Sequence, residues 1–205
     1  MARIQFLMKS AAHCLMVLVL ATMGIVTLAT GQDTNSGTPA DKSPFAAVPH
    51  PKPPAQLLRL GSLIGTWDAD EHWEKVEGFA PGGDGTGVYT VIDGPGSMSV
   101  IIDYKAISGP FPTYTGHGIL SWELDQKIYR MAWAQPIWPG VSIETGKFEG
   151  DDLILSYEIV EMGKKYVVRN AYSDWTPTSL TITSHLIDLD GKHIKTLTMR
   201  LKKRS

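Results

Sequence analysis

The sequence of 205 residues holds one cysteine, Cys14, and that residue lies in the first apolar run rather than in the body of the chain. The body therefore has no disulfide framework and no thiolate for metal or nucleophilic chemistry. It also lacks a His-x-x-x-His or His-x-His pair, a Gly-x-Ser-x-Gly elbow and a phosphate loop. The glycines of "PGGDGTG", Pro81 to Gly87, have no helix after them to supply a dipole for phosphate, and they read as a flexible hairpin. Asp68 and His72 share one face of a strand, but at ~3.3 Å per residue they stand ~13 Å apart, beyond hydrogen-bond reach. An excess of positive charge is missing too. Lys and Arg total 19 against 21 Asp and Glu, with no basic stripe, which excludes a nucleic-acid partner. Helical periodicity is absent after Gly61, so no crossover helix links one strand to the next and a parallel sheet is excluded.

What is present begins with an N-terminal export signature. Arg3 and Lys9 precede an apolar run of 17 residues, Cys14 to Thr30, and small residues at Ala29 and Gly31 suit signal peptidase. Residues 1–31 are read as a signal peptide, with a retained membrane anchor as the alternative. Cleavage would remove Arg3 and Lys9, take the net charge from −2 to about −4, and leave a secreted or periplasmic protein that is not integral to a membrane. Residues 32–55 hold six of the 13 prolines and too little apolar surface to offset ordering entropy, so they read as a disordered, polyproline-like linker. His50 in this stretch reads as solvated.

The domain is expected from 56 to 205. "QLLRLGSL" reads as a short helix ended by Gly61. Ten short runs rich in β-branched and aromatic residues follow: Ile64–Lys75, Thr86–Ile92, Ser97–Ile107, Tyr114–Glu123, Lys127–Ala134, Val141–Phe148, Leu153–Val160, Lys164–Tyr172, Ser179–Asp188 and Lys192–Lys202. "ELDQK", "FEGDD", "EMGKK" and "LDGKH" are tight connections, and Asp190-Gly191 carries the signature of a type I′ turn. Sequential antiparallel strands leave two exposed edges unless the sheet closes. The expected fold is therefore all-β: an up-and-down antiparallel barrel of about ten strands behind a short N-terminal helix. Alternation supplies the faces. Leu153, Leu155, Tyr157 and Ile159 share one, as do Leu197, Met199 and Leu201, and as do Tyr129, Met131 and Trp133.

Gly65-Thr66-Trp67, on the first strand after a short helix, resembles the opening of lipocalins and their calycin relatives. "GHGILSWELDQKIYRMAW", "GKFEGDDLILSYE" and "HIKTLTMRLKK" are similar to a bacterial family known as domain of unknown function fifteen seventy-nine. The resemblance spans about Leu57 to Arg204. It implies a calycin-like barrel outside the cytoplasm and brings no established activity or catalytic residue. By the lipocalin likeness, Arg200 from the last strand would lie over the Trp67 indole and close one barrel end, with Arg169 as the competing partner. Such a contact is worth about 0.5–2 kcal/mol. The nitrobindin-like branch binds haem through a histidine on the last strand; His193 begins the last strand here but lies at the hairpin, far from mid-strand, so no cofactor is expected and haem stands as the alternative.

The leading reading is non-catalytic binding of a small apolar or amphipathic molecule. Tyr129, Met131 and Trp133 would line the cavity and Trp138 its rim, in the loop "AQPIWPG". Polar groups that could face inward are His117, Arg130, Tyr157, Arg169, Tyr172 and His185. Of these, Arg169 and His185 are the ligand-binding candidates, an interior Arg suiting a carboxylate. Two other readings stay open: an isomerase or hydrolase on the same barrel, marked by converging titratable groups with shifted pKa values, and a filled barrel that acts through its surface in the cell envelope.

Overall fold

The computed structural model describes residues 52–137, 140–161 and 163–205. The expected signal peptide, nearly all of the linker and Trp138 lie outside the described residues. Within them, helix α1 (Ala55–Leu58) continues into a 3₁₀ turn over Arg59–Leu63. Ten strands follow: β1 (Gly65–Val76), β2 (Ala80–Asp93), β3 (Ser99–Ser108), β4 (Thr115–Glu123), β5 (Ile128–Ala134), β6 (Val141–Glu149), β7 (Asp152–Glu161), β8 (Lys164–Ser173), β9 (Ser179–Ile187) and β10 (His193–Lys203). Each pairs antiparallel with its chain neighbours, and β1 pairs with β10 from Trp67↔Lys203 to Trp73↔Leu197. The sheet is a closed up-and-down barrel with no free edge.

The helical segment runs past Gly61, where it was expected to stop. A 3₁₀ turn brings every third residue onto one face, and Leu57, Leu60 and Leu63 are spaced by three. All three are buried, the last two to 1% exposure or less. Burial of each such side chain is worth about 1.5–3 kcal/mol, so the apolar face decides where the turn ends. This segment plugs one end of the barrel. Tyr129 Oη donates to the Gln56 carbonyl at 2.8 Å, Trp67 Nε1 donates to the Leu63 carbonyl at 2.8 Å, and Trp122, Tyr129, Phe148 and Trp175 stack edge to face beneath it.

Two local expectations are corrected. The glycine run after Pro81 is not a flexible hairpin: β2 begins at Ala80 and pairs with β1 through it, from Val76↔Ala80 to Glu71↔Gly85 and beyond. Its glycines make room. A Cβ on Gly87 would fall 2.1 Å from Tyr104 Oη, and one on Gly85 would meet the Ser108 carbonyl at 2.7 Å. The β9–β10 connection is not a type I′ turn, because Gly191 (φ 77°) is the one residue there with positive φ. Asp188 closes a wider loop instead, its Oδ1 accepting from the Asp190 and Lys192 amides.

Candidate functional site

The barrel encloses a cavity of about 510 Å³, within the range of small-molecule sites. Its closed end is the plug just described. At its other end β1, β3, β5, β7 and β9 finish and the even-numbered strands begin. The inward face of β5 supplies the wall. Met131 and Trp133 line the cavity, as the alternation in "KIYRMAWA" implied. The Trp133 ring occupies space that two glycines of β4 leave free: a Cβ on Gly116 would fall 2.0 Å from its Cζ2, and one on Gly118 2.5 Å from its Cε3. Trp133 Nε1 donates to Tyr114 Oη at 3.2 Å, and Tyr114 donates in turn to Gln135 Oε1. Tyr129 shares the face but sits below the cavity, in the plug packing, so it seals rather than lines.

The polar interior differs from expectation. Of the six candidates, Tyr157 and Tyr172 face in and line the cavity. Arg169 and His185 do not. They are register neighbours on the outer faces of β8 and β9, where Arg169 pairs with Glu149 at 3.2 Å and the His185 ring stands 6.1 Å from that of His193. Burial and the neighbouring His193 lower the His185 pKa. His117 and Arg130 also face outward, on Asp103 at 2.7 Å and Glu123 at 2.5 Å. The reason is parity. Val168, Asn170 and Tyr172 take the inward positions of β8, and the residues between them cannot.

Two carboxylates occupy the interior instead. Glu71 (β1) accepts hydrogen bonds from Tyr104 Oη and, at 2.8 Å, from Trp73 Nε1. Glu144 (β6) is 3% exposed and accepts from Asn170 Nδ2 at 2.9 Å. Burial pushes the Glu144 carboxyl up to about 7, with the Asn170 contact opposing the shift. Tyr89, Tyr114, Tyr157 and Tyr172 each feel the charge of Glu144, and burial first and foremost raises all four phenols, Tyr114 to about 12. No Lys, Arg or His lines the cavity among the described residues, and none of them forms a cluster of three or more groups able to hold a metal ion. Glu71 was legible: it shares parity with the buried Trp67 in "TWDADEHW". Glu144 was less so, because its outward neighbours Val141 and Ile143 are apolar and 57% and 45% exposed, which disguises the inward face of β6.

The closing pair is also corrected. Arg200 points to solvent opposite Asp70, and Lys203 Nζ lies 5.1 Å from the Trp67 ring centroid and 3.4 Å from the Ser62 carbonyl. Arg200 has the parity opposite to Leu201 and Lys203, so it cannot reach the indole. Lys203 can.

No family model matches the chain, and no curated protein matches it. Among solved structures, Rv2717c from M. tuberculosis is similar over 75% of this chain and 99% of its own, at 14% identity and a TM-score of 0.53. The S-type phycobiliprotein lyase CPES from Guillardia theta matches over 75% of this chain and 98% of its own at 10% identity, with a TM-score of 0.43. The chain is a calycin-like barrel: ten closed antiparallel strands with a short helix before them.

Proposed function

We propose that this barrel is a non-catalytic binder of a small apolar or amphipathic molecule and works outside the cytoplasm. The observation that carries the reading is the cavity, closed at one end by the Leu57–Leu60–Leu63 plug and walled by Met131, Trp133, Ile182 and Leu186. An environment-sensitive aromatic probe is expected to bind with micromolar affinity, about −8 kcal/mol, and to quench tryptophan fluorescence. Trp133→Ala should weaken that binding by about 1–3 kcal/mol while circular dichroism of the barrel is unchanged. A parent that binds no probe, with a Trp133→Ala variant destabilised by about 3–5 kcal/mol, would reject the binder and leave a filled barrel.

Glu144 supports a second reading. A carboxyl near 7 in a cavity has the pKa that general acid–base chemistry uses. Native mass spectrometry of protein from its own host identifies any retained molecule. Under the leading reading, that molecule is recovered unchanged after incubation; conversion that stops in Glu144→Gln would make the protein an enzyme.

Export rests on residues 1–31. Mature protein is expected to begin between Thr30 and Gln32, and N-terminal sequencing of membrane-bound protein that returns Met1 or Ala2 would overturn it. Membership of the family of unknown function fifteen seventy-nine rests on the three motifs between Gly116 and Lys203.

A further inference from the structure

We infer that the molecule the cavity takes carries a cationic nitrogen, an alkyl- or arylammonium seated against the Glu144 carboxylate among tyrosine rings, and that carboxylates are turned away. This deepens the binding reading above and rests on it.

The argument starts from charge. The cavity wall is apolar and aromatic, with two buried carboxylates, Glu71 and Glu144, the exposed Glu158 as a third, and no basic side chain among the described residues. The two buried ones are not equivalent. Glu71 has both oxygens engaged, Oε1 by Tyr104 and Oε2 by Trp73. Glu144 is just as deeply buried, yet one amide, Asn170 Nδ2, is its hydrogen-bond donor among the described residues. A buried carboxylate needs a counter-charge or several donors to offset desolvation. Glu144 has neither from the barrel itself, and it lines open space. A ligand ammonium supplies both the charge and the donors.

The surroundings fit the same group. Tyr89, Tyr114, Tyr157 and Tyr172 line the cavity and sense the Glu144 charge. Aromatic rings around a desolvated cation add to the attraction of the carboxylate. An anionic head would meet these carboxylates and find no positive partner among the described residues. Arg130, Arg169 and Arg204 are paired on outer faces instead, with Glu123, Glu149 and Asp68.

A matched set of probes tests this on the full mature chain: 2-(1-naphthyl)ethylamine, 2-(1-naphthyl)ethanol and 1-naphthylacetate, titrated at pH 8 by tryptophan quenching. The amine is expected to bind at least about tenfold tighter than the alcohol, and the acetate weaker than either. Glu144→Gln should remove the amine's advantage and leave alcohol binding within about twofold. Glu71→Gln should cost the amine less than Glu144→Gln does. If alcohol and acetate bind as well as the amine, the cationic ligand is rejected and the binder survives. An amine preference that persists in folded Glu144→Gln rejects Glu144 as its counter-ion. Silence from all three probes rejects both readings.

Discussion

Glu144→Gln is expected to stabilise the protein by about 3 kcal/mol at pH 8 and by almost nothing at pH 4. Burial raises the folded-state carboxyl to about 7 from a model value of 4.5. Between those values the folded state binds the extra proton, so stability falls as pH rises through the window and the loss is complete above about 7. Glutamine is nearly isosteric and its carbonyl can still accept from Asn170, so it removes the charge without opening a void. The four phenols around Glu144 have raised pKa values and stay neutral throughout. Parallel urea melts of parent and variant across that range measure the difference. An equal effect at both ends would mean that the carboxyl is not held above its ordinary range. A buried charge that weakens the fold and is kept by the sequence is what a site reserved for a partner of opposite charge requires, and the same variant is expected to become more stable while losing the amine.

Trp67→Ala is expected to cost about 3–5 kcal/mol, the range for large core aromatics. The indole is 1% exposed, its Nε1 holds the Leu63 carbonyl at 2.8 Å, and it packs in the core that Leu57, Leu60 and Leu63 share. Its loss leaves a void at the closed end and frees the plug. Since about 1 kcal/mol moves the midpoint by ~2–4 °C in a domain of this size, thermal melting should fall by about 6–20 °C. Lys203→Ala should cost about 0.5–1 kcal/mol through the cation–π contact. Arg200→Ala, on an exposed strand position, should stay within about 0.5 kcal/mol of the parent. If Arg200→Ala matched Trp67→Ala, the closing contact would involve Arg200 after all.

These two residues mark the boundary between what the sequence by itself determined and what needed the tertiary structure. Alternation and turn residues determine strands locally, because a side chain's face follows from its parity along one strand. Ten runs without a crossover helix then leave closure as the way to remove both edges. The stripe Tyr129–Met131–Trp133 and the inward placement of Tyr157 follow from the same rule. Parity does not say which face is inside. In β6 the apolar residues Val141 and Ile143 are outside and Ser142 and Glu144 inside, because the register Met131↔Glu144 ties that strand to the wall of β5. Depth is likewise invisible along one strand. Tyr129 and Trp133 share a face, yet the plug covers one and the cavity opens on the other. The glycine run of β2 reads as a loop until Tyr104 and Glu71 are seen to need its missing side chains. Local sequence sets periodicity; only the closed sheet sets which residues meet across it, and so decided that the interior is acidic and the arginines are outside.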